Sequence, residues 1–406
     1  MRLGELAGTD VSARVPSFLA IAGLFALSLR LPRERANLWF AALTAASPLL
    51  LVYSGEARAY GVLALLDFSL FLLLFRGEPS ARRLGAAAAL TALALWTHYL
   101  GILFVGACAL LLAARRRWQF LIALAAGSVP FLLWVPVLRA QPVEAVAWMR
   151  EPLGDSLLSF ASALGGAGRI PNPLGGPLPS LLVGGGIVAG VLTLIGVART
   201  GRRDPECADA AAVTLLTMGL VFAFSLARPV AFPGRSEMAI LPIWLWSVAR
   251  AIPSEHRKRW IPAVLIVISP VSSAFLLIAR TPESLASRAV ALVASAATPT
   301  DEVVASGAFL LPARLAADRH DLKAVVIAYP LEDALHPGWF EPRYPAAEDE
   351  ARLEARMAAV PSGAKIFLLL YPHQYESRLK SFLDHRGPTR ELLRRPDGLV
   401  IVSLSR

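Results

Sequence analysis

Apolar positions are gathered into long runs along most of the chain. The runs cover Val15–Leu29, Leu38–Val52, Ala59–Phe75, Leu84–Trp96, Leu100–Ala113, Phe120–Leu138, Leu181–Ala198, Ala210–Leu226, Met238–Val248 and Trp260–Ile278. A bilayer-spanning helix needs about 20 such residues, and fewer where protein shields its ends. The pattern predicts a polytopic α-helical membrane protein of about ten spans. One stretch tests the count. Leu84–Ala113 read as a single helix would be about 45 Å long at about 1.5 Å per residue, too long for a bilayer. A break at Thr97-His98-Tyr99 gives two shorter helices instead.

After Ile278 the pattern changes. Glu302–Ser306, Ala324–Tyr329, Ile366–Tyr371 and Leu399–Leu404 read as short strands, and Phe309–Asp318, Glu348–Ala359 and Gln374–Asp384 as helices between them. This alternation predicts a small α/β domain with a largely parallel sheet. The expected division is residues 1–280 for the membrane domain and 281–406 for the α/β domain. No Gly-rich loop follows any of the strands, which argues against nucleotide binding there. The Gly/Pro-rich stretch Gly165–Pro179 reads as a loop.

Composition strengthens the membrane reading. Of 406 residues, 56% are hydrophobic and only 17% charged, with a mean hydropathy of +0.56. A soluble chain would be about a quarter charged. The net charge of +10 raises the question of nucleic acid, but the arginines sit in clusters beside the apolar runs. One set of loops carries Arg30, Arg33, Arg35, Arg76, Arg82, Arg83, Arg115, Arg116, Arg117, Arg199, Arg202, Arg203, Arg250, Arg257, Lys258 and Arg259. The alternate loops carry only Arg58, Arg139, Arg150, Arg169, Arg228 and Arg235. The positive-inside rule then places the first set in the cytoplasm and the α/β domain outside it. Topology accounts for the basicity, and no nucleic-acid partner is expected. Cys108 in an apolar run and Cys207 in a polar loop fall in different compartments, so neither a disulfide nor a Cys-based metal site is expected.

The first span has its positive flank at its C-terminal end, which places Met1–Arg14 outside the cytoplasm without a recognisable signal peptide. Either the chain inserts with its N-terminus out, or an upstream span is absent. The second option is the expectation here.

Candidate chemistry gathers in the turn Tyr53-Ser54-Gly55-Glu56-Ala57-Arg58-Ala59-Tyr60, between two spans on the extracytoplasmic side. A charged turn at a membrane interface has a plain topological reading. The two tyrosines suit an interfacial pocket, an arginine can grip a phosphate bidentately, and the nearby carboxylate can orient it or bind sugar hydroxyls. Asp67 lies in mid-span, where a charge costs about 3 kcal/mol on insertion scales. It marks either a functional group or a neutral carboxyl bonded to a neighbouring Ser or Thr. His98 is either a structural hydrogen-bonder at its helix break or part of a pocket. Glu144, Glu151 and Asp155 fall in the Arg139–Pro179 loop beside Trp148, in reach of solvent or an acceptor. His336, His373 and His385 lack ligand spacing, so no zinc site is expected. A divalent cation held by carboxylates leaves no spacing signature and stays open.

Ser47-Pro48 followed by the Tyr53–Tyr60 turn resembles the second extracytoplasmic turn of bacterial family-39-type glycosyltransferases. These are relatives of the protein O-mannosyltransferases and the aminoarabinose lipid A transferase, with the GT-C fold. Arg14-Val15-Pro16-Ser17 is similar to that family's Arg-Leu-Pro-Ser, and Thr97-His98-Tyr99 also matches. Phe232-Pro233-Gly234-Arg235, within Pro229–Pro242, looks like its arginine turn. The resemblance implies a multi-pass enzyme of a bacterial inner membrane. Such an enzyme would move a sugar from a polyprenyl-phosphate donor to a protein, lipid or polysaccharide acceptor outside the cytoplasm. It implies donor-binding roles for Glu56, Arg58, Tyr60 and Arg235, and a pocket that includes His98, Tyr99 and Glu237. Two departures stand out. The family's base, an aspartate in its first extracytoplasmic loop, has no match, since Asp10 is too close to the span. The arginine turn continues Arg235-Ser236-Glu237 where the family has Arg-Tyr. A non-catalytic relative that binds lipid-linked sugar or scaffolds an envelope assembly is the main alternative. A transporter is less favoured, because paired interrupted helices in two related halves are not evident.

Overall fold

The computed structural model describes residues 9–30, 35–140, 152–167, 177–252, 268–274, 285–329, 346–370, 390–394 and 400–405. The described residues fall into two compact units, one drawn from 9–274 and the other from 285–405.

The first unit is helical. Its elements are α1 (Thr9–Arg30), α2 (Arg35–Ala46), α3 (Pro48–Ser54), α4 (Tyr60–Phe75), α5 (Ala81–Thr97), α6 (Leu100–Ala114), α7 (Trp118–Ser128), α8 (Val135–Ala140), α9 (Leu153–Leu164), α10 (Leu178–Gly201), α11 (Pro205–Ser225), α12 (Leu241–Ala251) and α13, described over 268–274. Among the described residues four helical stretches are long and apolar enough to cross a membrane: Ser12–Arg30, Trp118–Arg139, Ser180–Gly201 and Pro205–Ser225. A fifth arises if α2 and α3, bent by 59° at Ser47-Pro48, count as one. Proline at the first position of α3 fits a helix start but cannot continue the preceding one. The other apolar runs form shorter helices, among them α4 and α6. Most of the Trp260–Ile278 run lies outside the described residues. Apolar side chains on the outward helices face away from the bundle, as Phe18 and Leu19 do at 60% exposure each.

The break expected inside Leu84–Ala113 is present, with α5 ending at Thr97 and α6 starting at Leu100. His98 is extended between them, at φ −162° and ψ 142°, and its Nδ1 accepts the Leu100 N–H at 3.1 Å. Gly101 lets the two helix ends pass closely, because a Cβ there would lie 2.9 Å from the Ala94 carbonyl oxygen.

The arginine-rich end of the bundle is cross-linked. Arg83 donates to the carbonyls of Leu73 and Arg76, and Arg117 to those of Leu74 and Gly77, which satisfies the C-terminal end of α4. Asp204 caps α11 by accepting from Glu206 N and Cys207 N, and it also binds Arg250. Cys207, expected in a polar loop, is buried in the first turn of α11.

The second unit contains α14 (Leu285–Ala294), β1 (Glu302–Ser306), α15 (Gly307–Arg319), β2 (Val325–Tyr329), α16 (Ala346–Ala358), β3 (Lys365–Leu370), β4 (Arg390–Arg394) and β5 (Val400–Ser405). The strand order is β2-β1-β3-β5-β4. β1 pairs in parallel with β2 and β3, whereas β3–β5 and β4–β5 are antiparallel. The sheet is therefore mixed, not largely parallel, because the chain returns as a β4–β5 antiparallel pair at one edge. β4 was not expected from sequence, and Arg390-Glu391 at its start explains why it was not read as an apolar strand. Alternation along β1 sends Val303 and Ala305 toward α14 and α15, and Val304 toward Leu353 and Met357 of α16. Helix Gln374–Asp384 of the sequence reading lies outside the described residues.

Candidate functional site

The site grows from the turn between α3 and α4. Gly55 to Ala59 form the turn, and both flanking tyrosines fold inward, each only 6% exposed. Their rings meet edge to face with centroids 5.0 Å apart. Tyr60 also stacks against His98 at 4.8 Å, and His98 against Tyr99 at 4.2 Å. The α5–α6 break is thereby pinned to the start of α4.

The Arg-x-Pro-Ser segment meets the same turn. Ser17 Oγ of α1 donates to the backbone carbonyl of Arg58. Gly61 leaves room for this crossing, since a Cβ there would approach the Ser17 carbonyl oxygen to 3.1 Å. The carbonyl of Arg58 is thus held by the helix bundle while its guanidinium projects outward, with the side chain 43% exposed. Glu56 lies beside it, with Oε2 3.6 Å from Arg58 Nε. An exposed pair at this distance contributes about 0–1 kcal/mol, so it orients Arg58 without locking it.

Arg235 arrives from a distant part of the chain. Gly234 takes φ +80° in the turn before it, a left-handed conformation that glycine adopts without a Cβ penalty. Ser236 Oγ accepts the Phe232 N–H at 2.8 Å and closes the turn. The Arg235 guanidinium lies over the Phe232 ring, 4.3 Å from its centroid. Arg58 and Arg235 both come within hydrogen-bonding reach of the Tyr60 phenol, and both act electrostatically on His98 and Tyr99. The residues singled out from three separate motifs are brought together: Glu56, Arg58 and Tyr60, then His98 and Tyr99, then Arg235. Two guanidiniums beside a phenol and an imidazole are groups whose chemistry suits an oxygen-rich anion.

Glu237, two residues after Arg235, also acts electrostatically on Tyr53. It is only 2% exposed and accepts a hydrogen bond from Ser159 Oγ of α9 at 3.0 Å. Through this bond it ties the arginine turn to α9. From sequence the Arg139–Pro179 stretch reads as loop, so Ser159 does not stand out there. The available signal was the three-residue spacing of Ser156, Ser159 and Ser162, all of which face inward. Asp155 is exposed on the first turn of α9. Glu144, Trp148, Glu151, Arg169, His336, His373 and His385 lie outside the described residues, as does the side chain of Asp10. Among the described residues no three His, Cys, Asp or Glu side chains gather as metal ligands.

Burial, reinforced by Arg235 and Arg58, holds His98 down at about 4. His98 is therefore neutral at pH 7, with Nδ1 accepting from Leu100 and the proton on Nε2. Free imidazole titrates near 6.5, so below that pH the unfolded chain takes up a proton that the folded chain refuses. Stability is full above about pH 6.5 and is lost as the pH falls toward about 4. Thermal unfolding across this window should slope downward with acid in the wild type and less so in His98→Gln. Equal slopes would remove His98 as the source.

Asp67 lies on α4 two turns beyond Tyr60, fully buried. Neither carboxyl oxygen meets a hydrogen-bonding group among the described residues. Of the two readings left open for Asp67, the bonded carboxyl finds no Ser or Thr partner among the described residues.

Two solved structures of ArnT from Cupriavidus metallidurans match this arrangement of elements, one in the apo state and one bound to undecaprenyl phosphate. Their TM-scores are 0.56 and 0.59 at 14% and 15% identity, and each match covers 99% of this chain and 85% of that chain. The fold of this chain is similar to that of ArnT. No family model matches the chain, and no curated protein matches it either. With the apolar helices, the ArnT-like fold points to a membrane protein.

Proposed function

We propose that the chain is a membrane glycosyltransferase that moves a sugar from a polyprenyl-phosphate donor to an acceptor outside the cytoplasm. The observation that carries this reading is the meeting of Arg58 and Arg235 at Tyr60 and His98, within a fold shared with a structure bound to undecaprenyl phosphate. Arg58 and Arg235 hold the donor phosphate, with Tyr60 as a further hydrogen-bond donor and Glu56 aligning Arg58 or binding sugar hydroxyls. His98 and Tyr99 line the pocket, and Glu237 positions the Arg235 turn through Ser159. The acceptor oxygen forms a bond to the anomeric carbon while the bond from that carbon to the phosphate oxygen breaks. Its electron pair leaves with polyprenyl phosphate, whose growing negative charge the two guanidiniums stabilise, and the acceptor hydroxyl gives its proton to a base. The ten apolar runs serve as spans or half-spans of a bacterial inner-membrane protein. The arginine bias of the loops supports placing this turn and the α/β domain on the extracytoplasmic side.

The test uses the full chain in lipid nanodiscs with a radiolabelled polyprenyl-phosphate sugar and an envelope fraction as acceptor source. The expected result is saturable donor binding together with label moving into the envelope fraction and release of polyprenyl phosphate. Saturable binding without release would favour the non-catalytic lipid-sugar binder, and no binding at all would end both readings.

A further inference from the structure

The end of the bundle opposite Tyr60 holds a cavity that the proposed reaction does not use. Its volume is about 690 Å³, and it is lined by α1, α4, α5 and the start of α11. The wall is aliphatic, built by Leu27 and Leu90 with the leucines of the last α4 turns, and Ser69 is a small residue within it. The polar part is formed by Arg76 and Arg83 with Glu206 beside them.

These groups are fixed, and their balance is positive. Arg76 Nε is 3.2 Å from Glu206 Oε1, and its guanidinium lies 5.2 Å from the centroid of the Trp246 ring. Glu206 is also claimed from its other side by Arg250, at 3.0 Å. Arg83 spends Nη2 on the α4 carbonyls, yet its buried Nε makes no hydrogen bond among the described residues. Arg117 reaches the Gly77 carbonyl at the same rim. Two guanidiniums against one carboxylate leave a positive excess along this lining, which an oxygen-rich anion matches.

We infer that this cavity binds an anionic phospholipid, with the phosphate on Arg76 and Arg83 and an acyl chain along the leucine wall. A free phosphate would satisfy the arginines and leave the aliphatic wall unfilled. A zwitterionic lipid would bring a cation against the arginines. The combination of an aliphatic wall with an excess of guanidinium selects an amphiphile of net negative charge. This site lies at the far end of α4 from the donor pocket, and its occupancy is measured separately from sugar transfer.

Native mass spectrometry of the delipidated full chain in detergent tests the assignment, with phosphatidylglycerol and phosphatidylcholine of identical chains as probes. The expected result is one phosphatidylglycerol retained at about tenfold lower lipid concentration than phosphatidylcholine, a ratio of about 1.4 kcal/mol. Ser69→Leu fills the cavity without touching a charge, and it should abolish this preference while the melting temperature holds. Arg76→Gln should bring phosphatidylglycerol retention down to the phosphatidylcholine level. Equal retention of both lipids by the wild type would overturn the proposal. So would undiminished phosphatidylglycerol binding by Ser69→Leu, or full competition by glycerol phosphate, which would show an anion site without a lipid wall. If Arg76→Gln fails to fold, Ser69→Leu alone decides the matter.

Discussion

Arg58→Ala is expected to lower sugar transfer by about 100- to 1,000-fold, the usual cost of removing one preorganised donor from a developing anion. The side chain is 43% exposed and its ion pair with Glu56 spans 3.6 Å, so the fold should lose less than about 0.5 kcal/mol. Arg235→Ala should give a similar loss of transfer, with some further loss of order in the turn where it stacks on Phe232. Because both arginines reach the same phenol, the double variant should fall short of the product of the two single losses. Arg58→Lys should recover only part of the rate, since an ammonium cannot reproduce a planar bidentate grip. A second readout separates the charge from the chemistry. Both arginines help hold His98 down at about 4, so removing either should let the imidazole titrate at higher pH, as observed by NMR of labelled histidine. Unchanged transfer by Arg58→Ala would sink the site assignment even if His98 shifted as expected.

The parts of this site readable from sequence were those whose chemistry sits in a short segment. Glu56, Arg58 and Tyr60 fall within one turn, and the His98 break followed from a length argument about Leu84–Ala113. That these segments and Arg235 share one place is implied by the family resemblance alone, because no periodicity or spacing converts a separation of 177 positions into a shared phenol. The arginines gave a related lesson. As loop charges they read as topology markers, and that count says nothing of partners. In the structure Arg76, Arg115 and Arg250 are matched by Glu206, Asp209 and Asp204, while Arg83 and Arg117 close the end of α4. Helix α9 is hard to read because its inward face is mostly serine and alanine, with Phe160 and Leu164 as its large apolar residues, while Leu157 and Leu158 point outward. The run-counting rule looks for long apolar stretches and misses a 12-residue helix that packs through small residues. Ser159, and with it the support under Glu237, went unnoticed for the same reason.

The packing of that overlooked helix predicts the largest effect on stability. Gly186 and Gly190 lie one turn apart on α10 and face Ala161 and Gly165 at the end of α9, a small-xxx-small contact that lets backbones touch. A Cβ at Gly165 would fall 1.8 Å from the Gly186 carbonyl oxygen, and one at Gly190 would fall 2.3 Å from that of Ala161. Neither clash involves a flexible side chain that can swing away, so the helices must separate. Overpacking of this kind costs about 1–3 kcal/mol, occasionally more, and both Gly165→Ala and Gly190→Ala should reach the upper end. Gly184→Ala on the same helix meets nothing within 4 Å and serves as the control, expected to hold or slightly raise the melting temperature. The damage should also reach the candidate site. α9 carries Ser159, the partner of Glu237, and its Leu164 carbonyl accepts the indole N–H of Trp244 in α12 at 2.8 Å. Moving α9 therefore loosens the arginine turn on one side and α12 on the other. Gly190→Ala should melt several degrees below Gly184→Ala in detergent and lose donor affinity even well below its melting temperature. Matching melting curves for the two variants would mean that α9 and α10 do not touch as described. Lower stability with full donor affinity would break the link from α9 through Glu237 to Arg235.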